Sequence, residues 1–230
     1  MEELDIHKQI KVLLDQATHL LNHKKDFGQA KDTLHKLESM DSENPVVLYN
    51  LAIVCIHLQD YNSAIDYLKR CMSLPMTFID IRQVRKVYIF TLIQKGDYDR
   101  ALDELQQQND QDDDIIQMKA FALEKKGNYR QALQLYENIL EHNPDNVNAC
   151  NAIAYIIALL PDGNLSRALE LAKKAVSHVP NNAAYNDTLG YVYYKRGEYN
   201  MAKKFLKKAL SLKPDNSEIR SHIDELLNIS

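Results

Sequence analysis

Apolar residues return along this chain at intervals of three and four, the spacing that puts them on one face of an α-helix. At the front, Ile6, Ile10, Leu13, Ala17 and Leu20 keep that rhythm. Towards the end, Ala202, Phe205, Leu206 and Ala209 share one face, and Lys203, Lys204, Lys207 and Lys208 lie opposite. A last stripe of Ile219, Ile223, Leu226 and Leu227 is backed by Glu218, Arg220, Asp224 and Glu225, which predicts a helix with a solubilising outer face capped by Ser217. Only 6 Gly and 6 Pro fall in 230 residues, so few breakers interrupt these helices. The pattern predicts an all-α chain.

A longer period overlies the helical one. A small residue recurs at Ala30, Ala64, Ala101, Ala132, Ala168 and Ala202, at intervals of 34, 37, 31, 36 and 34 residues. Three residues before each stands an aromatic or Leu: Phe27, Tyr61, Tyr98, Tyr129, Leu165 and Tyr199. Gly96, Gly127 and Gly197 precede three of those by two residues, and Pro144, Pro180 and Pro214 close three units. The last copy is the clearest, with Leu189, Gly190 and Tyr193 on its first helix and Gly197, Tyr199, Ala202, Leu206, Ala209 and Pro214 following. This combination resembles the tetratricopeptide-repeat (TPR) family, whose 34-residue unit is a helix–turn–helix; the run 181–190 resembles bacterial members in style. The resemblance implies a right-handed superhelical solenoid of antiparallel helix pairs, a single domain over 1–230. Six repeats are expected at 11–44, 45–78, 82–112, 113–146, 147–182 and 183–216, followed by a capping helix over 217–229. One helix pair cannot bury its own apolar face, so stability in such an array is shared between neighbours.

Two units depart from the pattern. The third carries bulky Ile89 at the small position of its first helix and Gln108 where an apolar residue is usual, and it runs into the acidic stretch 106–114 without a closing Pro. Its second helix is expected to be short. The fifth has two extra residues, accommodated at Pro161, Asp162 and Gly163.

The resemblance also says where a partner would bind. In the family, first helices line a concave wall, and the ninth position of each repeat reads His19, Ile53, Phe90, Phe121, Tyr155 and Tyr191. Tyr49, Ile56, Ile93 and Tyr194 add to that wall. Lys86, Gln117, Asn151 and Asp187, with Asn50, supply polar groups for a ligand backbone. The expected function is a non-catalytic scaffold that binds a peptide or helix in this groove, with large rings as anchors. The alternatives are a regulatory or sensor module of a larger system, and a self-assembling scaffold whose groove is filled by another copy. The bland reading of the rings is packing between neighbouring first helices. The carboxylate clamp of chaperone-binding members needs Lys, Asn, Asn, Lys and Arg at set positions. The first three copies offer Asp15, His19, Asn50, Gln83 and Val87, so only Asn50 fits.

Composition narrows the classes further. A net charge of -4 gives no general attraction for nucleic acid. The lysines of 203–208, with Lys173 and Lys174, read as a solvated outer face, because the sequence pairs no aromatic platform with them. No uncharged apolar run reaches the roughly 18 residues of a bilayer span. Met1–His7 lacks the features of a signal peptide, and Cys55, Cys71 and Cys150 read as buried reduced thiols. Together these point to the cytoplasm, or the periplasm if a signal sequence has been removed. Asp15, His19 and His23 share a helical face, with His57 at the equivalent point of the next repeat; a polar groove end is the expectation and a metal site is not. The acidic run before the fourth repeat lacks the Gly and closing Glu of a calcium loop and reads as helix capping. No phosphate loop, nucleophile elbow or cofactor motif is present.

Overall fold

The computed structural model describes residues 2–75, 80–108 and 112–228, with side chains from position 8 onward. Ile6 of the front stripe, Asp110 of the acidic run and Ile229 of the capping segment therefore lie outside the described side chains. The described residues divide into two compact units, 1–109 and 110–230.

The N-terminal unit holds α1 (Glu2–His19), α2 (Phe27–Met40), α3 (Pro45–His57), α4 (Tyr61–Met72), α5 (Ile81–Lys95) and α6 (Tyr98–Gln106). The C-terminal unit holds α7 (Asp113–Lys125), α8 (Tyr129–His142), α9 (Val147–Leu159), α10 (Leu165–His178), α11 (Ala183–Lys195), α12 (Tyr199–Leu212) and α13 (Ser217–Leu227). All regular structure among the described residues is helical. From α1 to α12, odd-numbered helices are the first of each pair and even-numbered ones the second, and α13 follows the last pair.

Short polar side chains start the helices. Asn44, Asp80, Asp112, Asn146, Asn182 and Asn216 each accept from a backbone N–H in the first turn of the helix that follows, offsetting donors that have no intrahelical partner. Asp112 thus gives the acidic run a capping role. For α13 the cap is Asn216, bonded to the Ile219 N–H at 2.9 Å, and Ser217 is the first helical residue. The sequence reading placed the cap one residue late, because either side chain can fill the role and only backbone dihedrals separate them; Asn216 is extended at φ -80 and ψ 117.

The alanine markers sit where helices meet. Ala30, Ala64, Ala101, Ala132, Ala168 and Ala202 are all fully buried. Gly190 is needed for the same reason: a Cβ there would lie 2.8 Å from Cγ of Leu206 on α12. Gly163 answers the two-residue insertion, since a Cβ would come within 1.9 Å of the Ile157 carbonyl oxygen. The short second helix of the third repeat is present as α6, of 9 residues where α8 and α12 have 14. Gln108 turns its amide towards the Glu104 carbonyl at 3.5 Å. At the front, α1 ends in a π-helical turn, Leu20–Lys24, and Lys25 adopts a left-handed conformation at φ 55.

Second helices are tied to the preceding repeat by long side chains. Arg70 reaches Glu38 at 2.7 Å and the Ser42 carbonyl at 3.1 Å. Lys174 donates to the Pro144 carbonyl at 2.8 Å, and Lys208 to that of Pro180 at 2.7 Å. Two lysines of the basic stripe are therefore joints between successive repeats. The aromatic companions missed in the sequence are also present: Tyr193 and Phe205 stack at 5.7 Å, with Lys173 over the first ring and Lys204 over the second. Tyr193 lies six residues before the second helix starts, so only the folded pair reveals the stack. Cys55, Cys71 and Cys150 are buried free thiols, and burial raises the pKa of all three.

Candidate functional site

The candidate positions lie on first helices, and the two units finish them differently. In the N-terminal unit, Tyr49, Ile53 and Ile56 fall at i, i+4 and i+7 of α3, so they share one face, and each is half-buried. Lys86 and Phe90 share a face of α5. Lys86 is half-buried, and Phe90 leaves 40% of its surface exposed. Asn50 turns back to its own helix and donates to the Val46 carbonyl at 3.0 Å. Ile93 is buried in the core. At the helix ends, His57 stacks on Phe27 at 4.2 Å, and His19 lies 5.1 Å from His23. Among the described residues, no three of His, Cys, Asp and Glu are placed to hold a metal ion.

In the C-terminal unit the wall residues meet one another and meet α13. Tyr155 of α9 lies 5.8 Å from Tyr191 of α11, which lies 5.8 Å from Tyr194. Lys195 stands over Tyr191 and Tyr194 at 5.0 and 5.7 Å. His222 of α13 stacks on Tyr191 at 4.2 Å, with Tyr155 at 5.9 Å. Its Nδ1 lies 3.1 and 3.0 Å from the two carboxylate oxygens of Asp187. With Asp187 ionised, that nitrogen carries the proton and donates. One turn earlier on α13, Glu218 accepts from the Tyr155 hydroxyl at 3.0 Å and lies 3.8 Å from the Lys125 ammonium on α7. Lys125 is also 5.4 Å from the ring of Phe121. Gln117 and Asn151 are half-buried on α7 and α9. The Asn151 side-chain oxygen is buried and meets no donor among the described residues.

Burial sets the electrostatics. It raises the Asp187 carboxyl pKa against the downward pull of His222. It also raises that of Tyr155, an effect the neighbouring Glu218 carboxylate reinforces, so Tyr155 remains a donor. Behind the wall, Glu124 of α7 is buried beside Tyr136 of α8, whose hydroxyl points at it across 3.4 Å. Burial pushes Glu124 up to about 7, Lys125 opposing and Glu218 adding to the shift. The arrangement has a carboxylate-accepting corner, Tyr155 with Lys125, and a ring-accepting corner, Tyr191 with Asp187.

Family models describing the tetratricopeptide repeat match residues 46–75, 123–187 and 188–216, together more than half of the chain. The chain is a TPR protein. No characterised protein matches it in a whole-sequence comparison, but its fold is shared with solved TPR structures. A chain of the APC/C hetero-tetramer Cut9–Hcn1 superposes with a TM-score of 0.74 at 14% identity, over 94% of this chain and 42% of that one. A TPR protein from Parabacteroides merdae gives 0.74 at 16% identity, over 95% and 84%. YrrB, described as a TPR protein with an unusual peptide-binding site, gives 0.53 at 18% identity, over 83% and 97%. At these identities the likeness is one of fold. This chain spans about two fifths of the length of the first of these.

Within the TPR frame, the two kinds of wall residue can be told apart by what covers them. Tyr49, Ile53, Lys86 and Phe90 retain accessible surface, as do Gln117, Phe121, Asn151, Tyr155 and Tyr194. Asp187 and Tyr191 are buried, at 6% and 4% exposure, under His222. The sequence reading missed Glu218 and His222. His222 had a signal, because 219, 222 and 226 are spaced as one helical face, and Ile219, His222 and Leu226 are the residues that α13 buries. Glu218 read as outer surface, yet it reaches Tyr155. No helix among the described residues is long and apolar enough to cross a membrane.

Proposed function

We propose that this TPR protein is a non-catalytic interaction scaffold that receives a peptide or helix from another protein on its first helices. The residues assigned to that role are those that keep accessible surface, Tyr49, Ile53, Lys86, Phe90, Gln117, Phe121, Asn151, Tyr155 and Tyr194, whereas Asp187 and Tyr191 are covered by His222. The observation that carries the reading is Phe90. A Phe exposed over 40% of its surface, on the helix face that the family uses for binding, costs hydration in the isolated protein and supplies an anchor in a complex. Half-buried Tyr49 and Ile53 on α3 extend the apolar character of the same unit. The fold shared with proteins described with a peptide-binding site, or within a multi-subunit assembly, supports a protein partner.

A photoreactive phenylalanine analogue placed at Ile53, Phe90 or Lys204 tests the reading. Adducts to one and the same protein are expected from positions 53 and 90 and not from 204, which lies on the lysine-rich face of α12. Equal yields at all three positions, or none at 53 and 90, would overturn it.

A further inference from the structure

The helix α13 packs chiefly against α12 and also lays two polar side chains on the C-terminal first helices. The helix α13 presents Glu218 and His222, four residues apart and so one above the other on a single face. Glu218 enters the corner made by the Tyr155 hydroxyl and Lys125, on α9 and α7. His222 enters the corner made by Asp187 and the ring of Tyr191, both on α11. Three first helices thus contribute to one two-point receptor, for a carboxylate and for an N–H-bearing ring one turn further on. A helix lying in a groove is read through anchors at this spacing.

The fit of α13 is incomplete in two respects. Glu218 keeps nearly half of its side chain exposed, and its contact with Lys125 is long, at 3.8 Å. One turn back along α9 from Tyr155, the buried Asn151 oxygen meets no donor among the described residues. A buried acceptor without a donor is costly, so a helix that keeps both anchors and also offers a donor to Asn151 would bind better than α13 does. Resting on the scaffold reading above, we infer that α13 is a resident pseudo-ligand. The C-terminal wall recognises a partner helix bearing an acidic residue four positions before a His or other N–H ring, and that helix displaces α13. Charge complementarity selects this partner, since the wall offers a cation and a phenol to the carboxylate and an anion to the ring. Tethering gives α13 a high local concentration, so displacement requires the better match that Asn151 permits.

The test uses the full chain and a fluorescent synthetic peptide with the sequence of residues 214–227, read by anisotropy. Native chain is expected to bind the peptide weakly. Chain carrying Glu218→Ala and His222→Ala, whose own α13 has lost both anchors, should bind it at least ten-fold tighter. The same two changes made in the peptide should remove that gain. Glu218→Gln, at a half-exposed position, serves as the milder variant if the double one loses helicity, and should bind about three-fold tighter. Binding no tighter than to native chain, by a variant of native circular dichroism, overturns the inference. A variant that dimerises without peptide, one copy's α13 seated in the other's wall, also overturns it and makes the occupant a second copy. Crosslinks from positions 53 and 90 are independent of α13, so a negative peptide result alongside positive crosslinks sinks only this inference.

Discussion

The first helices of the two units carry similar residues and treat them differently. In the N-terminal unit, Phe90 is 40% exposed and Tyr49 and Ile53 are half-covered. In the C-terminal unit the corresponding ring, Tyr191, is 4% exposed, because His222 lies on it and Asp187 holds His222 there. An aromatic at the wall position therefore does two jobs in one chain. It keeps accessible surface at Phe90, and it is a structural layer where a following helix lies on it. The first use favours binding and the second stability, and mutation separates them.

The largest separation is expected at His222. Replacing it with Ala removes the donor from a buried carboxylate and the ring stacked on Tyr191. Breaking a buried pair by deleting one partner typically costs about 3–5 kcal/mol, because the remaining charge is left uncompensated. Asp187 can take up a proton instead, since burial already raises its pKa, so a loss near 3 kcal/mol is expected, carried by the C-terminal unit. Urea unfolding followed by hydrogen exchange would show α11 and α13 opening first. A loss below about 1 kcal/mol would mean that α13 is not held through this pair.

A second difference is a pH dependence belonging to the C-terminal unit. Glu124 titrates at about 7 in the folded chain, against an ordinary 4.5, because it is buried. The folded state then binds more protons than the unfolded state between those values, so stability from this group is greatest below about 4.5, falls as pH rises towards 7 and is level above it. A shift of that size corresponds to roughly 3 kcal/mol at most. In Glu124→Gln the amide oxygen still accepts from Tyr136 and this group's contribution to the slope disappears. Native chain and variant compared at pH 5 and pH 8 should differ in how much stability they lose. Parallel pH profiles would show that Glu124 is ionised throughout.

Much of this was legible in the sequence and some could not be. The helices, the buried alanines and the short α6 follow from small residues at a 34-residue spacing and from a polar run with no closing Pro, features that act locally. Phe90 and Tyr191 stand at the same repeat position, and nothing in their own segments says that one is covered. That depends on His222, 31 residues after Tyr191, which reads as a polar gap in an apolar stripe until Asp187 is seen beneath it. Glu218 is harder still, because it meets Lys125 more than ninety residues away. The Tyr193–Phe205 stack among the lysines likewise joins two helices. Local spacing shows which residues share a helical face, and which face meets another helix, inside a repeat or beyond it, shows only in the folded chain.

The smallest effect on stability is expected at the other end of the comparison, and it carries the functional argument. Phe90→Ala removes a ring that is 40% exposed and leaves the core of α5, formed by Val84, Tyr88, Ile89, Leu92 and Ile93, intact. Surface substitutions away from caps and buried networks usually change stability by no more than about 0.5 kcal/mol, and a better helix former at that site offsets part of the lost contact. If the ring is a binding anchor, the same change should weaken partner capture by about 2 kcal/mol, roughly thirty-fold. The ratio of the two effects is the informative quantity. A variant that melts with the native chain but loses the crosslink from position 53 assigns the ring to binding. A variant that loses 2 kcal/mol of stability shows instead that Phe90 packs as Tyr191 does, and the distinction between the two walls collapses.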